Sequence, residues 1–164
     1  MKFYENLEDA MKHLTTRGAF LTVKDDTGVN TMTIAWGYIG YSWNKPFFVA
    51  MVRPQRYTFE FLKTAKDYTI SIPFSADMKE ALTICGTKSG RDIDKIKESN
   101  LEVIHLENGI TYKDFKRVYL CKKIYQAPFV KEGFINNEET IEKYYKDEPF
   151  HNVYIGEIIK VYEK

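Results

Sequence analysis

The spacing of hydrophobic and polar residues changes along the chain, and each spacing predicts a different element. Leu7, Ala10, Met11 and Leu14 recur at helical intervals and predict a helix from residue 5 to about residue 16. A second apolar face of this kind is formed by Tyr57, Phe61, Leu62 and Ala65. Further helices are predicted within residues 57–66, 75–85, 86–99 and 136–147.

Shorter apolar runs predict seven strands. They lie within residues 19–24, 29–41, 46–52, 67–73, 101–107, 117–129 and 151–163. The run "PFFVAMV" is apolar on both faces, which is typical of a central strand. "DYTISIP" alternates apolar and polar residues, which predicts a half-buried strand.

The turns between these runs favour an antiparallel sheet. "DDTG" and Asn108-Gly109 are hairpin signals, and most connections are short. Gly37 and Gly40 fall inside the predicted strand 29–41 and indicate a bulge, a barrel corner or a close approach to the backbone. The pattern predicts a mainly β protein with short helical insertions, a closed or partly closed barrel forming one domain over residues 1–164.

Composition narrows the classes of function. Lys and Arg number 24 and Asp and Glu 23, so no broad basic field for nucleic acid is present. No apolar run approaches the roughly 18 to 20 residues of a membrane span, and the N-terminus is too acidic and broken for a signal peptide. We therefore expect a soluble, cytoplasmic protein that binds neither nucleic acid nor membrane.

The common catalytic and metal-binding motifs are missing from the sequence. It contains no phosphate-binding loop of the G-x-x-x-x-G-K type, no G-x-S-x-G and no H-E-x-x-H. The three histidines are scattered, and the two cysteines, Cys85 and Cys121, form no C-x-x-C, so no metal site is predicted. Each cysteine is either a redox thiol or a small buried hydrophobic residue.

Three polar clusters remain as candidate binding segments. They are "NTMTIAW" from Asn30 to Trp36, "RPQRYT" from Arg53 to Thr58 and "GTKSGRDIDK" from Gly86 to Lys95. The second cluster joins an apolar strand to a helix, whose first N–H groups and paired arginines favour an anion such as phosphate. Taken singly, each cluster also has an ordinary structural explanation. The first can be a plain strand, the second a pair of surface charges and the third a solvated helix start.

Together and in this order, the clusters resemble the flavin reductase-like family of FMN-binding split barrels, which includes flavoredoxin. "NTMTIAW", "PFFVAMVRPQRYT", "SGRDIDK" and "HNVYIGEI" carry the resemblance, which runs from about Gly18 to Val161. It implies a six-stranded antiparallel Greek-key split β-barrel that works as a homodimer with FMN near the subunit interface. The implied cofactor-binding residues are Asn30, Thr31, Met32, Thr33, Arg53, Arg56, Tyr57, Thr58, Cys85, Gly86, Ser89, Arg91 and Lys95.

The resemblance also implies roles within this set. Asn30 to Thr33 would line the flavin ring and ribityl chain, and Cys85 and Gly86 match positions near the ring. Arg53, Arg56 and Thr58 would face the ribityl-phosphate region, with Ser89, Arg91 and Lys95 completing the anion site. Which of Arg53 and Arg56 meets the phosphate stays open, and Arg56 is favoured. His151, shortly before Gly156-Glu157, matches a residue near the nicotinamide or flavin edge and is the one candidate catalytic residue.

The implied function is an oxidoreductase that transfers a hydride or electrons between NAD(P)H and flavin or a downstream acceptor. FMN would carry the chemistry, which is consistent with the missing catalytic motifs. Two alternatives stay open at this point. One is a flavoredoxin-like electron carrier reduced by a partner protein; the other is a non-catalytic binding module for a phosphorylated ligand.

Overall fold

A long antiparallel sheet organises the chain, of which the computed structural model describes residues 3–164, with Ala76 described by its backbone alone. In this part of the chain the strands are β1 (Ala19–Asp25), β2 (Gly28–Ile34), β3 (Gly37–Ser42), β4 (Lys45–Val52), β5 (Asp67–Ile72), β6 (Val103–Leu106), β7 (Gly109–Tyr112), β8 (Arg117–Pro128) and β9 (Asn152–Glu163). The α-helices are α1 (Leu7–Arg17), α2 (Tyr57–Thr64), α3 (Lys79–Thr87), α4 (Lys95–Glu98) and α5 (Glu138–Tyr144). Single 3₁₀ turns lie at Ala76–Met78 and Lys131–Gly133. Four of the five helices that the sequence predicts are thus confirmed to within a few residues, whereas the helix predicted within residues 86–99 is limited to the four residues of α4.

The main sheet has seven strands in the order β2-β1-β5-β8-β9-β4-β3, so the expectation of six strands is wrong. The predicted strand over residues 29–41 is in fact two strands, β2 and β3, which pair with β1 and β4 at opposite edges of the sheet. Only Ala35 and Trp36 connect them, so the sheet must curl until its edges lie close together. Among residues 3–164 the two edge strands form no ladder, which leaves the barrel open.

Gly37 makes the corner between the two edge strands. Its φ is +157°, and a Cβ atom there would lie 2.6 Å from the carbonyl oxygen of Val49. A side chain at this position would collide with the neighbouring strand backbone, so the corner requires glycine. Of the three alternatives that the sequence left open, both the barrel corner and the close approach to the backbone describe Gly37.

A separate hairpin of β6 and β7 covers one face of the main sheet. Glu107 and Asn108 form the turn between these two strands, and Gly109 begins β7. The sequence pattern does not distinguish β7 from the loop before β8. The hairpin buries β5 on both faces: Thr69 Oγ1 donates to Ile110 O at 2.5 Å, and Ser71 Oγ lies 2.8 Å from Thr111 Oγ1. The half-buried strand expected at residues 67–73 is therefore wrong, because its polar side chains find partners in this hairpin.

Two apolar clusters fix the helices that carry the candidate site. The larger lies inside the barrel and includes Leu62 of α2, so it holds that helix against the sheet. The smaller packs Leu82 and Cys85 of α3 against Phe20 and Tyr112. No helix within residues 3–164 is long and apolar enough to cross a membrane.

Candidate functional site

The junction between β4 and α2 places two arginines at one end of the barrel. Pro54 has no N–H group, and the Arg56 N–H donates to the Arg53 carbonyl at 3.1 Å, closing a turn between strand and helix. Arg56 is the extended residue that precedes the first turn of α2. The Phe59 N–H donates to the Arg56 carbonyl at 2.9 Å, and the N–H groups before it have no intrahelical acceptor. The junction therefore combines guanidiniums with the positive end of a helix.

The three segments predicted from the sequence meet around a cavity of about 390 Å³. It is lined by Met32, Arg53, Gln55, Arg56, Tyr57, Thr58, Thr87, Lys88, Ser89, Lys95 and Glu148. A second cavity of about 250 Å³ is lined by Met32, Thr33, Ile34, Ala35, Trp36, Met51, Arg53, Arg56 and His151. Because both include Met32, Arg53 and Arg56, they form one cleft with a polar part and a more apolar part.

On β2 the candidate residues divide between the cleft and the interior. The Asn30 Nδ2 group donates to Thr58 Oγ1 at 2.8 Å, which ties β2 to the start of α2. Met32 lines both parts of the cleft, and Thr33 lines the apolar part. The hydroxyl of Thr31 lies 3.0 Å from Thr22 Oγ1 and is fully buried, so its side chain faces the interior and lines neither cavity.

The two arginines have different partners. Arg53 donates to Tyr144 O at 2.9 Å, to Pro149 O at 3.4 Å and to Glu148 Oε2 at 3.3 Å. Arg56 donates from Nη1 to Gly86 O at 2.9 Å. A guanidinium has five N–H donors, so Arg56 keeps more capacity for a ligand than Arg53 does.

Lys95 is a buried cation whose hydrogen-bond partners are neutral. Its Nζ donates to Thr31 O at 3.0 Å and to Cys85 O at 2.9 Å, and the residue is 5% exposed. Burial lowers the pKa of Lys95 below its ordinary 10.5, and the positive charge of Arg56 lowers it further. These carbonyls do not neutralise the ammonium, so an anion in the cleft would be favoured.

The loop after α3 closes the polar part of the cleft. Ser89 Oγ accepts the Arg91 N–H at 3.2 Å, and Arg91 Nη1 donates to Gln55 O at 3.1 Å. The Arg91 guanidinium also lies over the Tyr57 ring, 4.9 Å from its centroid. Gly90 permits this approach, because a Cβ atom there would lie 2.2 Å from Asn30 Oδ1. Arg91 thus braces the loop against the junction from outside the cleft.

Cys85 and Gly86 contribute backbone rather than side chains. The Cys85 thiol is buried in the smaller apolar cluster, 3.5 Å from Ser99 Oγ, and burial raises its pKa above the ordinary 9.0. It is therefore a protonated, packed thiol at neutral pH and not a redox nucleophile. The carbonyls of Cys85 and Gly86 hold Lys95 and Arg56 in place.

His151 lies at the apolar end of the cleft. Its Nδ1 atom is 2.9 Å from the Tyr145 hydroxyl, and its ring centroid is 5.1 Å from that of Trp36. Burial, and then the charges of Arg53 and Arg56, lower the pKa of His151 to about 4 from an ordinary 6.5. At neutral pH the imidazole is uncharged, so it can exchange hydrogen bonds but does not act as an imidazolium acid.

Sequence reasoning missed the contribution of residues 144–149. Tyr144, Glu148 and Pro149 supply the acceptors for Arg53, although they lie far from it in sequence. Their polar, weakly periodic segment carries no binding signal. Gln55 could have been found, because it stands within "RPQRYT" and lines the cavity.

Solved structures with the same fold share little sequence with this chain. Flavoredoxin from Methanosarcina acetivorans is 20% identical with a TM-score of 0.70, over 90% of this chain and 68% of that one. An FMN-binding protein from Thermus thermophilus is 20% identical with a TM-score of 0.69, covering 89% and 69% of the two chains. Flavoredoxin of Desulfovibrio vulgaris is 23% identical with a TM-score of 0.69, covering 91% and 70%. These similarities establish the split-barrel fold.

Comparison with curated protein sequences gives no match. The family model described as the flavin reductase like domain, in contrast, matches residues 11–164, which include the open barrel and every segment of the cleft. The chain therefore belongs to the flavin reductase-like domain family.

Proposed function

We propose that this protein is an FMN-binding flavoprotein that accepts a hydride from NAD(P)H. The carrying observation is a pair of cations, Arg56 and Lys95, whose partners are neutral carbonyls at a cleft that continues into an apolar part. A flavin mononucleotide has the matching shape and charge, a dianionic phosphate at one end and an aromatic ring at the other. The family and the FMN-binding protein of the same fold support this choice of ligand.

The residues present fit FMN. Arg56, Lys95, Ser89 and the first turn of α2 would hold the phosphate by charge-assisted hydrogen bonds. The ring would lie along the second cavity, beside Met32, Thr33, Trp36 and His151. Bound FMN would supply the hydride- and electron-accepting chemistry.

The protein residues would then bind and orient the flavin and the nicotinamide and exclude water from the cleft. Trp36 and Met51 present apolar surface at the ring end, where displaced water strengthens the remaining polar contacts. Neutral His151 would donate or accept a hydrogen bond at the nicotinamide carboxamide or the ring edge, held in position by Tyr145. Hydride transfer does not require an acid or base residue whose pKa is shifted towards 7.

Titration of the purified protein with FMN and riboflavin, followed by anaerobic NADH or NADPH, tests the proposal. We expect FMN to bind more tightly than riboflavin. The absorbance of the bound flavin at about 450 nm should fall when the reductant is added. Protein that binds neither flavin at micromolar concentration would contradict FMN binding. Bound FMN that only dithionite reduces would contradict the NAD(P)H step and identify a flavoredoxin-like carrier that needs a partner protein.

We also propose that the working form is a homodimer. Tyr38, Tyr41 and Trp43, on β3 and the turn after it, are 48%, 59% and 67% exposed. Large exposed aromatic side chains along the edge strand of a sheet commonly mark an interaction surface. Light scattering after size-exclusion chromatography tests this: a mass of one 19.3 kDa chain would contradict it.

A further inference from the structure

The Glu148 carboxylate lies at the rim of the polar part of the cleft. Its Oε2 atom accepts from Gln55 Nε2 at 2.6 Å and from Arg53 Nη1 at 3.3 Å. The Glu148 side chain is 54% exposed, whereas that of Arg53 is 17% exposed. The carboxylate therefore stands where the cleft opens to solvent and neutralises the guanidinium beneath it.

Arg53 has little remaining capacity for a ligand anion. Besides Glu148 it serves two backbone carbonyls, Tyr144 O and Pro149 O, and its guanidinium lies 5.4 Å from the centroid of the Tyr145 ring. These contacts attach residues 144–149 to the junction. Arg53 thus holds this segment in place, and the Glu148 carboxylate occupies the position on the Arg53 guanidinium that a ligand anion would otherwise take.

The inner part of the cleft is different, because among the residues that the structure describes Arg56 and Lys95 donate hydrogen bonds only to carbonyl groups. The inner cations can serve one phosphate. A ligand that continues beyond that phosphate with a second one would bring it towards the rim, which Glu148 lines. Two negative charges in close contact there repel each other even in water.

We propose that Glu148 makes the cleft selective for flavin mononucleotide over flavin adenine dinucleotide, an inference that rests on the proposed binding of FMN. Glu148 acts in two ways. It repels the second phosphate of the dinucleotide, and it keeps Arg53 occupied so that this arginine does not bind that phosphate instead.

Glu148→Gln tests the proposal, because glutamine removes the charge and keeps an oxygen that accepts from Gln55. The dissociation constants of FMN and FAD are measured for the full chain by quenching of flavin fluorescence. We expect wild-type protein to bind FMN more tightly, and the ratio of the FAD to the FMN constant to fall about fivefold or more in the variant. The fall should shrink at high ionic strength, since salt screens an exposed carboxylate.

Glu142→Gln is the matched control, since Glu142 lies on α5 just before this segment, pairs with Lys146 and lines neither cavity of the cleft. In Glu142→Gln, the ratio of the FAD to the FMN dissociation constant should equal that of the wild type. A ratio in Glu148→Gln that stays within about twofold of the wild type overturns the selectivity role and leaves FMN binding intact. Wild-type protein that binds no FMN overturns both proposals together.

Discussion

Arg56 and Arg53 lie three residues apart on the same turn, yet their surroundings give them different tasks. Arg53 is held by the backbone of residues 144–149, and Arg56 by the single carbonyl of Gly86. A guanidinium with unused N–H groups beside a cavity gains most from an incoming anion. Binding of the phosphate should therefore depend on Arg56.

Replacement of Arg56 by Ala should weaken FMN binding by about 1.5 to 3 kcal/mol, the range for a hydrogen bond to a charged group. The loss for riboflavin, which lacks the phosphate, should be much smaller. Isothermal titration of both ligands measures the difference. Arg17→Ala, which removes an exposed arginine at the end of α1, serves as the control. Equal losses for FMN and riboflavin would contradict the phosphate role of Arg56.

His151 should make stability depend on pH. Its pKa is lowered to about 4 in the folded protein from an ordinary 6.5, so between these values the unfolded chain binds more protons. The free energy of unfolding should therefore fall as the pH is lowered from about 6.5 to about 4, by at most about 1.4 kcal/mol per pH unit for this group. His13 has a pKa lowered by burial and acts in the same direction.

Urea unfolding of the wild type and of His151→Gln across this pH range separates the two histidines. In the variant, the dependence of the free energy of unfolding on pH should lose the contribution of His151 and keep that of His13. Identical slopes in the two proteins would show that His151 is not buried as an uncharged group.

Among the elements, β9 is packed closely on both sides at Gly156. It runs between β8 and β4, and Gly156 lies opposite both Phe48 and Lys123. A Cβ atom at Gly156 would lie 2.4 Å from the Tyr68 hydroxyl and 2.7 Å from Cys121 Cβ. That hydroxyl is fixed by a 2.9 Å bond to Phe48 O, so it cannot move without breaking the bond.

Gly156→Ala should therefore lower the free energy of unfolding by about 1 to 3 kcal/mol, the usual cost of overpacking a core. Urea unfolding measures it. Gly133→Ala is the control, because the nearest atom to a Cβ there is Val130 Cγ2, at an ordinary 3.7 Å. A Gly156→Ala protein as stable as the Gly133→Ala protein would contradict the close packing of β9.

Elements with a strong local signal could be predicted from the sequence, and those defined by distant partners could not. The apolar face of α1 and the glycine at its end predict that helix directly. The break at Ala35 and Trp36 was hidden because the apolar pattern continues through it, and only the pairing with β1 and β4 separates two strands. For the candidate site, the sequence located the basic junction but not Glu148, since nothing local distinguishes one carboxylate in a polar segment.

At the scale of the whole molecule, the cleft draws on β2, β4, α2, the loop after α3 and the start of β9. A ligand that contacts all of these elements binds only when the complete barrel is formed. Binding should therefore stabilise the entire fold by mass action, since the unfolded chain offers no comparable site.

FMN at about one hundred times its dissociation constant should raise the free energy of unfolding by about 2.7 kcal/mol. For a chain of this size that corresponds to an increase of about 5 to 10 °C in Tm. Thermal unfolding followed by circular dichroism, with and without FMN, measures the shift. AMP at the same concentration serves as the control for a nucleotide phosphate without the flavin ring. A shift of the same size with AMP would contradict recognition of the flavin.

The position of β9 in the sheet also has a consequence for the order of assembly during synthesis. Val52 at the end of β4 pairs with Asn152 at the start of β9. During synthesis, β4 therefore has no partner on this side until β9, far along the chain, has left the ribosome. Until then the hairpin of β3 and β4, with its exposed aromatic residues, has an unpaired edge that other nascent chains can join. Arg53, which follows β4, gains its backbone partners only when residues 144–149 have docked, so the binding cleft is completed late and aggregation competes with this step of folding.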